Sequence, residues 1–269
     1  MDYCELLEVD KFLLHQLSLF SEQVKQAYED YNFAQVSQLL NDFVSLLSSF
    51  FFESFKDRLY ADSPKGKKRR SCQHVLFHTL EVLGKVISPI LCHTSQDVFN
   101  HHPLHKHSPF LNYSHLGWSS PPVFWKNSSL ATIWTMIERM RFSSNWLLQN
   151  ARQDALIKSS LEATLFISVP LSHKEHPLSK LLFQQDLSNI FNVSEIQLSY
   201  VEDSQLSTFQ ADQKYTTVWR SDQEKSNGFS LSLRVSKSQK HKCPRCWNHT
   251  SSHQSSLCDR CQLVLKESN

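Results

Sequence analysis

The sequence predicts a mainly α-helical chain: a helical bundle over residues 1–150, a small α+β module over 151–236 and a C-terminal Cys4 metal knuckle over 237–269. Three observations predict it. Apolar residues recur at spacings of three and four up to about residue 150, the period of helices with one buried face. From about residue 155 the period falls to two, as half-buried strands require. The chain then closes with KCPRCWNHTSSHQSSLCDRC, two Cys-x-x-Cys turns with eleven residues between them.

Two long helices account for residues 5–60. Leu13, Leu17, Phe20, Val24, Ala27 and Tyr31 form the stripe of the first. Asn32 is placed to cap the second, whose stripe is Val36, Leu39, Leu40, Phe43, Leu47, Phe50 and Phe51. ADSPKGKKRR (61–70) reads as a basic turn. A third helix is expected from Ser71, with Leu76, Leu80, Leu83, Ile87 and Leu91 as its stripe and Pro89 kinking or ending it late. Thr94 and Asp97 stand in capping-box relation ahead of a fourth.

Residues 101–127 lose periodicity and gain Pro, His and aromatics. His101, His102, His105 and His107 have metal-binding chemistry, but nothing in the sequence fixes their geometry, so a surface loop is expected. A fifth helix starts near Ser128 with Ile133, Trp134, Ile137, Met140, Trp146 and Leu147. LEATLFISV, SEIQLSYV and FSLSLRV alternate as strands, with HPLSKLLFQQDLSNIF as a helix between the first two. A polar, basic linker, SKSQKHK, leads into the knuckle.

Composition limits the function classes. Hydrophobic residues make up 40% and charged residues 20%, a globular balance. A formal net charge of +2 excludes a uniformly basic nucleic-acid binder and leaves room for a local patch. The 4 glycines (Gly66, Gly84, Gly117, Gly228) are too scattered to build a phosphate-cradling loop. No apolar run is long enough to span a membrane. MDYCELLEVD is acidic and resembles neither a secretory signal nor an Arg-rich transit peptide, so no targeting segment is expected here. Seven cysteines, four of them in one tight quartet beside scattered Cys4, Cys72 and Cys92, point to a reducing compartment and a metal.

The quartet is Cys243, Cys246, Cys258 and Cys261. Each Cys-x-x-Cys turn aims two sulfurs at one point, and two such turns complete a tetrahedral S4 shell suited to Zn2+. Four thiolates leave no open position, so the zinc is expected to be structural. His249 and His253 lie between the turns and are not needed as ligands. Trp247 reads as a stacking platform for a nucleic-acid base or, at least as well, as a lid on the metal. Lys240, Lys242, Arg245 and Arg260 surround the site and suit a phosphate contact. The second charged feature is KGKKRR, with Lys65, Lys67, Lys68, Arg69 and Arg70 ahead of a helix N-terminus. Positive charge there opposes the helix dipole, which hints at an anionic partner such as RNA. No Ser-His-Asp grouping or carboxylate pair stands out as catalytic.

ELLEVDKFLLHQL, FFESFKDRLYADSPKGKKRRSCQHVLFHTLEVLGKVISPILCHTSQDVF, LIKSSLEATLFISV and KCPRCWNHT…LCDRC occur in this order. Together they resemble the C-terminal third of bacterial-type and mitochondrial isoleucyl-tRNA synthetases. The resemblance covers most of 2–102 and 128–261 and is poor over 103–127. It implies an anticodon-binding helical bundle whose tRNA contact is extended by the small module and knuckle. It implies tRNA contacts at Lys56, Arg58, Arg69, Arg70 and Trp247, beside Lys67, Lys68 and Arg245 from the charged clusters, and zinc on the four cysteines. The partner is then isoleucine tRNA, with no DNA and no membrane, and the chain a monomer.

The family's His-Ile-Gly-His-like and Lys-Met-Ser-Lys-Ser-like motifs do not occur, nor does its editing domain. The resemblance therefore implies tRNA binding by this chain, with ATP and isoleucine activation confined to a full-length parent enzyme. Lys158 stands where the family usually has glycine, which argues against a tight backbone approach at that turn. The low glycine content and Ser- and His-rich loops look more like an animal mitochondrial enzyme than a bacterial one. The mitochondrial matrix is the expected location, with cytoplasm as the alternative. Three rival readings remain: a non-catalytic adaptor derived from a synthetase, another class I synthetase such as the valine or leucine enzyme, and a DNA-repair glycosylase with a similar knuckle. The last needs a catalytic N-terminal Pro-Glu, whereas this chain opens Met1-Asp2.

Overall fold

The computed structural model of the chain describes residues 1–103, 105, 109–118, 120–204, 214–221 and 229–268. They divide into two compact units, Met1–Phe51 with Pro64–Ala131, and Phe52–Ser63 with Thr132–Asn269. Helices α1 (Glu8–Glu29), α2 (Phe33–Leu46), α3 (Glu53–Ala61), α4 (Lys67–Ile87), α5 (Cys92–His101) and α6 (Ser128–Gln153) come first. A mixed sheet, two short helices and the knuckle follow. The described residues contain no helix long and apolar enough to cross a membrane.

In the first unit α1 buries Leu13, Leu17, Phe20, Val24 and Ala27, the stripe its spacing predicts. Tyr31 does not continue it: the residue is 82% exposed with φ +54°, because the chain has already turned out of α1. Asn32 caps α2 as expected, its side chain accepting from the Gln35 N–H. Leu39 and Leu40 are only half-buried, while Val36, Phe43, Leu47, Phe50 and Phe51 are inside. Leu47–Phe52 forms a π-helical turn. Ser48 and Ser49 hydrogen-bond back to Val44 O and Ser45 O just ahead of it, a competition that loosens the regular ladder. The turn lets Phe50 and Phe51 both face Phe12, with centroids 6.5 and 5.9 Å away.

Helix α4 departs from expectation twice. It starts at Lys67 with Gly66 as its N-cap, so the basic run occupies the first turn instead of preceding the helix. Its buried stripe is Cys72, Val75, Thr79, Val82 and Val86, not the leucine stripe; Leu76 and Leu83 are half-buried, and Leu80 and Leu91 exposed. Both series have helical spacing, and packing selects the slimmer one. At Gly84 an added Cβ would lie 2.4 Å from the Tyr113 ring, so the missing side chain is what admits that buried aromatic. Buried Ser71 joins α4 to the start of α1, donating to Asp10 and accepting from the Leu7 N–H.

The capping box expected at Thr94 and Asp97 does not form. The turn after α4, with the Leu91 N–H on Ile87 O at 2.7 Å, launches α5 at Cys92 and leaves Thr94 inside the helix. The 101–127 stretch is also less of a surface loop than expected. His102, Tyr113 and Trp125 are buried, the last two in short 3-10 turns, and His107 lies outside the described residues.

In the second unit α6 buries Trp134, Ile137, Met140 and Leu147. Trp146, expected in that stripe, is 58% exposed; Leu148 takes the inward position instead. The sheet has the order β2–β1–β4–β3, from β1 (Ala163–Pro170), β2 (Glu195–Val201), β3 (Thr216–Arg220) and β4 (Ser230–Lys237). Strands β1 and β2 are parallel, joined through α7 (Pro177–Gln184) and α8 (Ser188–Phe191); β4 runs antiparallel to β1 and β3. Alternate residues Leu165, Ile167 and Val169 of β1, with Leu231, Leu233 and Val235 of β4, are buried as period-two patterning requires. The edge strand β3 and a final helix α9 (Asp259–Ser268) are among the elements that go beyond the sequence reading.

Candidate metal centre and nucleic-acid interface

The knuckle begins with β5 (His241–Lys242), paired antiparallel with β6 (His249–Ser251). The turn between them folds the first cysteine pair: Cys243 N–H donates to Asn248 O and Trp247 N–H to Cys243 O, both at 2.9 Å. Trp247 takes up φ +68°, a left-handed conformation that a non-glycine residue adopts at a cost of about 1–2 kcal/mol. The second pair sits at the start of α9.

The four sulfurs converge within 4.8 Å of one another. Cys246 Sγ and Cys258 Sγ are 3.8 Å apart. Four sulfurs at about 2.3 Å from a tetrahedral ion would be about 3.8 Å from each other, so the cluster has the dimensions of a closed metal shell. Cys243, Cys258 and Cys261 are buried and Cys246 half-buried. Burial opposes ionisation of Cys243, but N–H donors from Cys246, Cys258 and Arg245 outweigh it and hold the thiol at about 6. Burial pushes Cys246 up to about 12, with Cys258 and Cys261 adding to the rise. His249 is engaged elsewhere, its Nδ1 3.3 Å from Lys240 O, and His253 is exposed, so the cluster is built of the four cysteines.

The knuckle docks on α3 within the second unit. Arg260 meets Asp57 through both terminal guanidinium nitrogens, at 2.5 and 2.7 Å, with Asp62 at 3.5 Å. Arg245 donates to Ala61 O at 2.6 Å and to Cys261 Sγ at 3.4 Å. Beside these contacts lies a cleft of about 420 Å³ whose lining includes Lys56, Tyr60, Asn189, Asn192, Trp247 and Asn248. Trp247 is 62% exposed, and Lys242 Nζ lies 5.0 Å above its ring, a cation–π arrangement. The indole is therefore largely open to solvent.

The other basic positions are placed unevenly. Lys56 is exposed on α3 and pairs with Glu53 at 3.4 Å. Arg58 is 4% exposed, its guanidinium 4.6 Å from the Phe55 ring centre. Lys67, Lys68 and Arg70 are exposed on the first turn of α4, and Arg69 is half-buried. Of the cations around the knuckle, Lys240 pairs with Glu195 at 3.1 Å, and Arg260 is committed to Asp57 and Asp62. Sequence reasoning missed that clamp because Asp57 carried no local signal.

Residues 10–167 match the family model described as the anticodon-binding domain of tRNA ligase. Among curated proteins, the isoleucine–tRNA ligase of Thermosynechococcus vestitus is 31% identical over 270 residues, covering 98% of this chain and 27% of its own length. The mitochondrial isoleucine–tRNA ligase of Schizosaccharomyces pombe is 33% identical over 278 residues, covering 99% of this chain and 27% of its own. A probable mitochondrial isoleucine–tRNA ligase of Dictyostelium discoideum is 30% identical over 300 residues, with 98% and 28% covered. The chain thus spans just over a quarter of the length of the relatives it matches. With the family model covering more than half of it, the chain belongs to the anticodon-binding domain family of tRNA ligases, among relatives that are isoleucine–tRNA ligases.

Proposed function

We propose that this chain is the tRNA-binding C-terminal part of an isoleucine–tRNA ligase and binds isoleucine tRNA as a monomer, in service of ATP-dependent aminoacylation by the longer enzyme. The observation that carries the reading is the match along nearly the whole chain to isoleucine–tRNA ligases, bacterial and mitochondrial. The proposed working parts are the bundle (1–150), the α+β module (151–236) and the knuckle (237–269). Zn2+ is the proposed ion: four sulfurs at this spacing suit it, and a closed S4 shell makes it structural. The mitochondrial matrix is the proposed location, supported by the mitochondrial relatives.

Lys56, Lys67, Lys68, Arg69 and Arg70 supply positive charge for phosphates, and exposed Trp247 offers a face on which a base can stack, worth about 1–3 kcal/mol. Arg58 and Arg245 act from within, Arg58 packed on Phe55 and Arg245 bracing the knuckle against α3. The test is binding of the chain to isoleucine tRNA, valine tRNA and duplex DNA across a salt series. Preference for isoleucine tRNA with a steep salt dependence supports the proposal. Replacing Lys67, Lys68 and Arg70 with alanine should flatten the slope by about one for each phosphate no longer neutralised. Each replacement should also raise α4 stability by about 0.3 kcal/mol or more, since those cations oppose the helix dipole. Equal binding to all three nucleic acids, or none, favours an adaptor role instead.

A further inference from the structure

The first unit brings together three groups that the sequence separates. Glu81 stands on α4; His102 and His105 lie just beyond α5. His105 Nε2 is 2.8 Å and His102 Nε2 3.5 Å from the same atom, Glu81 Oε1. One ligand atom of each residue lies within 4.8 Å of the others. Ligands bound tetrahedrally at about 2.0–2.1 Å from a zinc-class ion stand about 3.3 Å apart, and the two distances straddle that edge.

Packing holds these groups in place. The His102 side chain is 2% exposed, and those of His105 and Glu81 11% and 18%. Phe99 stacks flat on the His105 ring at 4.5 Å, and Tyr113 meets the same ring edge-on at 5.5 Å. The Tyr113 hydroxyl reaches Glu81 Oε1 at 3.5 Å, the kind of outer hydrogen bond that orients a ligating carboxylate. A simple His–Glu hydrogen bond needs one imidazole; here a second, more deeply buried one is aimed at the same oxygen. Glu81 also lines a cleft of about 250 Å³ with His78, Lys85 and Trp125.

We propose that Glu81, His102 and His105 form a second divalent-metal site, distinct from the cysteine knuckle. It takes one zinc-class ion on two imidazoles and a carboxylate, leaves a fourth position for water, and pins His102 and His105 to α4.

Cobalt titration of the full chain tests this, after one equivalent of zinc has filled the cysteine shell. The expected result is a second equivalent whose visible bands lack thiolate charge transfer. X-ray absorption at the bound cobalt should then show imidazole scattering and no sulfur. The paired substitution His102→Gln with His105→Gln should abolish this equivalent and leave the first intact. Glu81→Gln, which preserves side-chain size, should weaken it at least tenfold. Uptake of a single equivalent by the unaltered chain overturns the proposal. So does cobalt bound through sulfur, without imidazole, or undiminished in the folded variants. Because the X-ray spectrum is read on the unaltered chain, the test stands even where a variant fails to fold.

Discussion

Replacing Asp57 with asparagine removes the charge that holds the knuckle to α3 while keeping the size of the side chain. Asp57 is 11% exposed at its side chain and accepts two hydrogen bonds from Arg260, itself 36% exposed. Breaking a fully buried pair costs about 3–5 kcal/mol, and an exposed pair contributes about 1 kcal/mol or less. The partial exposure of Arg260, and Asp62 at 3.5 Å as a substitute partner, place this pair between those limits, at about 2 kcal/mol. The knuckle is too short to build a core of its own, and its buried cluster consists of cysteines. With the proposed zinc bound, its order depends on the metal, and docking energy adds to apparent metal affinity. A loss of about 2 kcal/mol corresponds to about a 30-fold weaker metal affinity.

The assay is competition for the metal against a chromophoric chelator, using Asp57→Asn, Arg260→Gln and the double variant with the unaltered chain. The cycle isolates the pair: each single substitution should cost about as much as both together. A folded Asp57→Asn chain that holds the metal within twofold of the unaltered one refutes the coupling of dock to knuckle. Strictly additive single effects would show that the two residues act separately.

Two further outcomes concern the first unit. Gly84→Ala should destabilise it by about 1–2 kcal/mol in urea unfolding. The new Cβ meets the Tyr113 ring at 2.4 Å, and overpacking costs more than the roughly 1 kcal/mol of helix propensity gained; a stabilised variant would contradict that ring placement. Burial, aided by the neighbouring His74 and opposed by Glu81, lowers His78 from 6.5 to about 4. As pH falls, the unfolded chain binds this proton first, so stability present above the ordinary histidine value is lost between pH 6.5 and 4. The loss should approach a limiting slope of about 1.4 kcal/mol per pH unit, and His78→Gln should flatten it; an unchanged pH profile in that variant counts against His78 as the source.

What the sequence made legible is what residue identity carries by itself. Thiolate pairs at Cys-x-x-Cys spacing declare a metal shell whatever surrounds them, and the structure brings all four sulfurs together. The α1 stripe from Leu13 to Ala27 was readable from its helical spacing, while the buried face also takes in Phe12 and Leu14. On α4 two series have that spacing, and hydrophobicity alone favours the leucines; packing against α1 buries the other series. The start of α4 was misplaced for a related reason: four cations in the first turn argue against a helix N-terminus there. Edge strand β3 is only five residues long, too short for its alternation to stand out before its pairing with β4 is seen. The same distinction separates the cysteine cluster from the proposed second site. The knuckle's ligands come as two local pairs, whereas Glu81 and His105 are 24 residues apart, and Asp57 and Arg260 are 203. Local spacing encodes a ligand pair; convergence of distant groups is a property of packing, and in this chain it is packing that turns a histidine-rich stretch into a defined constellation.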